Sequence, residues 1–289
     1  SSTAATGLAV MSLLGAGYTH QAGPYQKEVK AGLDFLVKSM RRTKRGGSLM
    51  RGERGMYSHA IATIALAEAF AMTQDTDYAD ATSFARYYIE TAQHKKGGWR
   101  YNPGNAGDMT VTGWQIMALK SCQLGNSKTP DHVWINAEMF VDSLRTSSGW
   151  YGYLQPEEKK PTTTAVAVLM KMYMGADSES SDVSIAADYI ADAGPSKTDM
   201  YYNYYGTQVM FHRGGKQWKA WNDVQREHLI TTQDRSGTHR TGSWYFDDPH
   251  GQVGGRLYTT AMEIMTLEVY YRYMPLYDHN VVSDPVLDR

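Results

Sequence analysis

Five side chains in this sequence could move a proton: Glu53, His59, Asp108, Asp247 and Asp248. Carboxylates and imidazole act as general acids and bases when their surroundings tune them toward the working pH. Asp247 and Asp248 are adjacent and could divide acid and base roles, or hold a divalent ion through oxygen ligands. The same Asp-Asp-Pro run also reads as a turn. Asp108 and Thr110 fit helix N-caps as well as site residues, and His59 fits a hydrogen-bonded structural histidine. A second set could bind a ligand without reacting: Arg51, Arg54, Tyr57, Thr110, Trp114, Tyr201, Tyr202, Tyr205, His250, Arg256 and Tyr258. Arg51, Glu53 and Arg54 also read as a solvated ion-pair group. The tyrosines at 201–205, broken only by Asn203, cannot all face one way on a helix; some face inward and some face a neighbour. Inward rings could meet a cation through their π faces or stack on sugars. No HExxH, P-loop, GxSxG or Rossmann fingerprint is present, and Gly251–Gly255 follows no strand and reads as a loop. Cys122 is the single cysteine, so neither an internal disulfide nor a thiolate metal cluster can form. Neither a metal nor a cofactor is expected.

These residues sit at the starts of repeated elements. Six runs of small and apolar side chains begin with a small residue at 7, 60, 113, 165, 206 and 261, at intervals of 53, 53, 52, 41 and 55. They are apolar nearly all round, which predicts helices buried on most faces. Amphipathic stretches lie between them. Val29, Leu33, Leu36, Val37 and Met40 form one stripe, and Tyr78, Ala81, Phe84, Ala85, Tyr88 and Ile89 another. Further candidates span 132–145, 182–193 and 217–232. The pattern predicts inner helices backed by half-exposed outer ones, stacked so that neighbours bury each other. Five outer helices for six inner ones place the partner of the first before Ser1, or nowhere. A toroid of this kind gathers the inner-helix N-termini at one end, where free N–H groups and helix dipoles favour polar or anionic ligands. Thr162, Thr163 and Thr164 join the candidates there.

Composition bounds the rest. The chain has 289 residues, 42% apolar and 20% charged, enough for a core. Its 29 basic and 30 acidic side chains leave a net charge of -1, which argues against a nucleic-acid partner. No apolar run reaches about 18 residues, so no membrane span is expected. No signal peptide is visible, and the helix-like opening at Ser1 reads as an excised or mature domain. The basic cluster Arg41–Arg45 is expected at the end of the first outer helix, opposing its dipole or meeting a polyanion. One domain is expected over 1–275, with a tail at 276–289.

Gln93-His94-Lys95-Lys96-Gly97-Gly98-Trp99 matches the QxxxGxW repeat of the squalene-cyclase and protein-prenyltransferase superfamily. Gln233-Asp234-Arg235-Ser236-Gly237 begins a second copy, with His239 in the tryptophan place and the tryptophan late, at 244. The sequence thus resembles that superfamily, which implies an all-α, α/α toroid with a ligand cavity at its hub. The superfamily's terpene cyclases protonate an alkene with an Asp-x-Asp-Asp motif. The corresponding Asp108-Met109-Thr110-Val111 keeps only the first aspartate, and a threonine hydroxyl is too weak an acid for that step. No Asp-x-Cys zinc ligand pair is present, and Cys122-Gln123-Leu124-Gly125 is not the Cys-Gly-Glu-Gln of thioester domains. The resemblance implies a cyclase- or prenyltransferase-like toroid holding a small apolar or glycan-like ligand without either chemistry. The alternative is a scaffold that binds polysaccharide or protein.

Overall fold

The computed structural model describes residues 2–270. It consists of α1 (Ser2–Gly15), α2 (Gln26–Ser39), a hairpin of β1 (Arg41–Thr43) and β2 (Gly46–Ser48), α3 (Gly55–Thr73), α4 (Ala79–Ala92), α5 (Met109–Leu124), α6 (Asp131–Ser143), α7 (Pro161–Tyr173), α8 (Ser181–Ala193), α9 (Met200–Arg213), α10 (Gly215–Thr232) and α11 (Pro249–Leu267). The odd-numbered helices form an inner ring. Each packs on the next, and α11 packs on α1, so the ring closes. The even-numbered helices stand outside, burying one face each. In α2 only Val29, Leu33 and Leu36 are buried, whereas α5 is buried over most of its circumference. The fold is an α/α toroid.

Small residues set the inner-ring spacing. A Cβ on Gly7 would lie 2.9 Å from Ile61, and one on Gly113 would lie 2.6 Å from Val166. Glycine therefore lets α1 approach α3, and α5 approach α7.

The loops that enter the inner helices are fastened in a repeated way. The Trp99 amide donates to Thr112 Oγ1 at 2.9 Å, Tyr151 to Thr164 Oγ1 at 3.0 Å, and Trp244 to Thr260 Oγ1 at 3.1 Å. Leu49 donates to His59 Nδ1 at 3.1 Å, and Ser196 to Asn203 Oδ1 at 2.8 Å. Thus five loops each hand one N–H to a side chain on the inner helix that follows. The QxxxGxW loop adds to this clasp. The Trp99 indole N–H donates to Ile89 O at 2.8 Å, and Trp244 repeats the contact with Leu229 O at 2.8 Å. Its late position is absorbed by a longer loop. Gly97 and Gly98 have φ of 76° and 67°, conformations that side chains rarely adopt, and they let the loop lie flat on α6.

Four expectations change. The helix with the small residue at 206 departs from the common register: its clasping side chain, Asn203, stands three residues before the small residue where Thr112 stands one before, and Gly206 faces Trp221 on the outer layer. The cluster at 41–45 is no helix end: α2 stops at Ser39 and the chain turns into the hairpin, where Arg42 lies 3.3 Å over the Phe84 ring and Arg45 bonds Thr91 O. Gly251–Gly255 belongs to the start of α11, broken only at Gly255, φ 67°. The first inner helix has its outer partner, since α2 packs on α1. Among the described residues it is α11 that no outer helix follows. The expected domain end at 275 and the tail at 276–289 lie outside the described residues.

Replacing Thr112 with valine keeps the shape but leaves the buried Trp99 N–H without its acceptor. Such a loss costs about 1–3 kcal/mol. Urea unfolding should show a destabilisation of that order for Thr112→Val, and almost none for Thr231→Val on exposed α10.

Candidate functional site

The inner-helix N-termini meet at one mouth of the ring, and three of them are closed by aspartates. Asp108 Oδ1 accepts the Val111 N–H at 2.8 Å on α5. Asp199 Oδ1 accepts the Tyr202 N–H at 2.9 Å on α9. Asp248 Oδ1 accepts the N–H groups of His250 and Gly251 at 2.6 and 2.7 Å on α11. Asp108 is wholly buried; burial pushes its carboxyl above the usual range, against the hydrogen bonds from Val111 and Thr110. Arg100 Nε lies 3.7 Å from its second oxygen.

Tyrosines surround these caps. The Tyr57 and Thr110 hydroxyls are 2.7 Å apart, and Thr110 in turn donates to Asp108 at 3.0 Å. The Tyr101 and Tyr153 hydroxyls are 3.0 Å apart. The Tyr101 ring lies 6.2 Å from that of Tyr57, with the guanidinium groups of Arg54 and Arg100 at 5.1 and 5.2 Å. On the opposite arc, Thr162 donates to Asp199 at 2.9 Å. Tyr201 lies 5.1 Å from the exposed ring of His250, which lies 6.4 Å from Tyr258. The Tyr258 hydroxyl is buried without a hydrogen-bond partner.

Below the mouth the hub is filled. Trp114 on α5 stacks at 6.4 Å on Tyr204 and meets Tyr205 edge-on at 6.5 Å. Since α7 separates α5 from α9 in the ring, these rings meet on the hub side of α7. Trp114, Tyr204 and Tyr205 are 2%, 1% and 0% exposed, so almost none of their surface meets water.

The structure therefore sorts the predicted residues. Tyr57, Thr110, Tyr201, His250 and Tyr258 share the mouth with Arg54 and the buried Asp108, while Trp114 and Tyr205 form its floor. Several others point elsewhere. His59 is fully buried: Nδ1 holds Leu49, and Nε2 donates to Ala85 O at 3.1 Å. Tyr202 faces outward, edge-on to Trp221 at 5.7 Å. Arg51 caps the end of α2 through Ser39 O at 2.7 Å. Arg256 bonds Ser243 at 3.0 Å and lies over Tyr245 on the outer loop. Asp247 is exposed and accepts from Gln252 at 3.1 Å, so it does not converge with the capping Asp248. Glu53 is exposed on the loop before α3. Sequence reading passes over Arg100, Tyr101, Tyr153 and Asp199. A signal existed: Tyr101, Tyr153 and Phe246 each stand two residues past a clasped loop residue. Burial pushes the Cys122 thiol up to about 12, which leaves it protonated and inert. Among the described residues, no three His, Cys, Asp or Glu side chains gather as metal ligands, and no helix is long and apolar enough to cross a membrane.

The sequence profile of the prenyltransferase alpha-alpha toroid domain matches residues 5–137 and 61–195. No curated protein matches the chain by sequence. Solved structures share the fold at low identity. Cellobiose 2-epimerase of Bacillus thermoamylovorans superposes with a TM-score of 0.63 at 13% identity, covering 92% of this chain and 87% of that one. An inactive α-1,6-mannanase of a Salegentibacter species, in complex with α-1,6-mannotetrose, gives 0.62 at 12%, with the same coverage of 92% and 87%. Candida albicans protein geranylgeranyltransferase-I, complexed with GGPP, gives 0.59 at 10%, covering 93% and 84%.

The His59 environment fixes a pH response. Burial lowers its pKa to about 4 against an ordinary 6.5, so the unfolded chain takes up a proton before the folded one does. The contribution of His59 is therefore lost as pH drops from about 6.5 toward 4, by roughly 3 kcal/mol in all, and is flat at higher pH. His59→Gln should flatten that acid limb in thermal melts; an unchanged limb would assign it to other groups.

Proposed function

We propose that this chain, which belongs to the prenyltransferase alpha-alpha toroid family, binds the end of a saccharide at its mouth and does not thread an isoprenoid through its hub. The packed Trp114–Tyr204–Tyr205 layer carries this reading, because an isoprenoid tail needs an apolar channel where those rings meet. The mouth above offers what a sugar uses: half-buried tyrosine rings, hydroxyl pairs and two guanidinium groups. Two of the structural relatives named above, a mannanase and a cellobiose epimerase, act on or hold saccharides, which agrees with this choice.

The same geometry favours binding over acid–base catalysis. Asp108, Asp199 and Asp248 each tie an oxygen to helix N–H groups as caps, which fixes these carboxylates to the helix ends and leaves them poorly placed to reach a substrate. The mannanase relative was inactivated at two adjacent aspartates. Here the adjacent pair is split between an exposed Asp247 and a capping Asp248.

The test is a titration of the whole chain, followed by amide chemical shifts, with α-1,6-mannotriose, cellobiose and geranylgeranyl diphosphate. The saccharides should shift the amides around Tyr57, Tyr101, Tyr153 and His250. Tyr101→Phe should weaken binding about five- to ten-fold, as expected for one hydrogen bond. Saturable binding of the diphosphate that quenches Trp114, with no saccharide response, would overturn the proposal.

A further inference from the structure

At the mouth end of the toroid the first two connecting loops are strongly basic. Residues 40–54 and 93–108, which lead into α3 and α5, hold nine basic side chains and two acidic ones. The loops that leave α3, α5 and α7 at the other end, 74–78, 125–130 and 174–180, hold one basic side chain and four acidic ones. The net charge of -1 therefore conceals a separation of charge along the ring axis, with the positive side at the mouth.

These cations are not neutralised. Among the described residues, Arg41, Arg42, Lys44, Arg45, Arg51 and Arg54 form no ion pair. Glu53, exposed in the same loop, pairs with none of them. The guanidinium groups are held instead by carbonyls and rings, which fix their positions and leave their charge in place. Arg45 bonds Thr91 O, and Arg42 lies 3.3 Å over the Phe84 ring. Arg41 and Arg51 both donate to Met50 O, at 3.2 and 2.8 Å. Arg54 and Arg100 then lie 5.1 and 5.2 Å from the same Tyr101 ring. The Tyr101 carbonyl accepts the Met56 N–H at 3.1 Å, which joins the two loops. The positive groups thus follow one another from the hairpin tip at Lys44 and Arg45, past Arg41 and Arg51 at Met50, to Arg54 and Arg100 at the mouth. Of these only Arg100 has a carboxylate near, Asp108 at 3.7 Å.

We infer that this track binds an acidic saccharide chain, one that carries a carboxylate or sulfate on successive sugars, with its end at the mouth. Such a ligand presupposes the saccharide reading of the mouth and adds to it the charge of the substrate. A guanidinium pairs with an oxyanion through two N–H groups at once, and a row of them suits a polymer charged at each unit better than one small anion. At the mouth end of the row, the rings and hydroxyls of Tyr57, Tyr101 and Tyr153 meet the uncharged parts of a sugar. A bilayer is a poorer match, because no large apolar side chain of 40–54 or 93–108 is exposed to enter it.

Amide chemical-shift titration of the whole chain tests this with tetragalacturonate, a sulfated tetrasaccharide and neutral cellotetraose. At least one acidic chain should shift the hairpin amides at 41–45 saturably. It should bind about ten-fold tighter than cellotetraose in dilute buffer, and lose most of that advantage at about 1 M salt, where charges are screened beyond about 3 Å. The double variant Arg41→Gln, Lys44→Gln, both exposed, should weaken acidic binding about ten-fold and leave cellotetraose binding and the melting temperature unchanged. Lys216→Gln with Lys219→Gln, which removes the same charge from α10, should change neither. The inference is overturned if neither acidic chain shifts the hairpin, if the Arg41 and Lys44 variant binds as the parent does, or if phosphatidylglycerol vesicles or a single-stranded oligonucleotide bind the hairpin more tightly than the saccharides. A mouth that answers cellotetraose beside a silent hairpin overturns the track and leaves the mouth reading standing. A hairpin that answers the acidic chains beside a mouth silent to every saccharide supports the track and counts against the mouth reading alone.

Discussion

The structure depends on one hydrogen bond made five times over. A loop N–H, taken out of water as the chain enters the ring, is received by a side chain near the start of the next inner helix: His59, Thr112, Thr164, Asn203 or Thr260. A buried amide without a partner is costly, so each loop has one low-energy seat. The seat fixes where the inner helix begins and how deep it sits. A threonine hydroxyl serves three times, and an imidazole or a carboxamide serves once each. The acceptor matters more than the residue type.

What happens at the mouth follows from that seating. Because the loops hold the inner helices in register, their first turns come level and their N-caps face one rim. Three caps are aspartates, each accepting N–H groups of the helix it precedes. The rim is therefore anchored by capping carboxylates and furnished with tyrosines, while Trp114, Tyr204 and Tyr205 pack together beneath. Of the tyrosine run, Tyr201, Tyr204 and Tyr205 turn inward and Tyr202 turns out toward Trp221, as the helical phase requires.

Much of this architecture is legible in the sequence. The six inner helices announce themselves because they are apolar on every face. The outer helices predicted at 182–193 and 217–232 are observed at Ser181–Ala193 and Gly215–Thr232. The hairpin at 41–48 escapes notice because strands of three residues, rich in arginine and glycine, have no alternation to read. At the site, Tyr57, Thr110, Tyr201, His250 and Tyr258 are recognisable from their place at helix starts. The side that a residue faces is not: His59 and Arg256 stand beside mouth residues in sequence yet serve the outer layer, because one helical step is about 100°. Arg100, Tyr101 and Tyr153 sit in loops, where no periodicity reports direction.

Native-state hydrogen exchange at the five seated amides, Leu49, Trp99, Tyr151, Ser196 and Trp244, tests the central claim most directly. If these bonds hold the ring, all five exchange only through global unfolding, as slowly as the centres of α3 and α5. Exchange as fast as at the exposed neighbours Lys95 and Lys96, with the inner helices still protected, would mean that the ring stands without them.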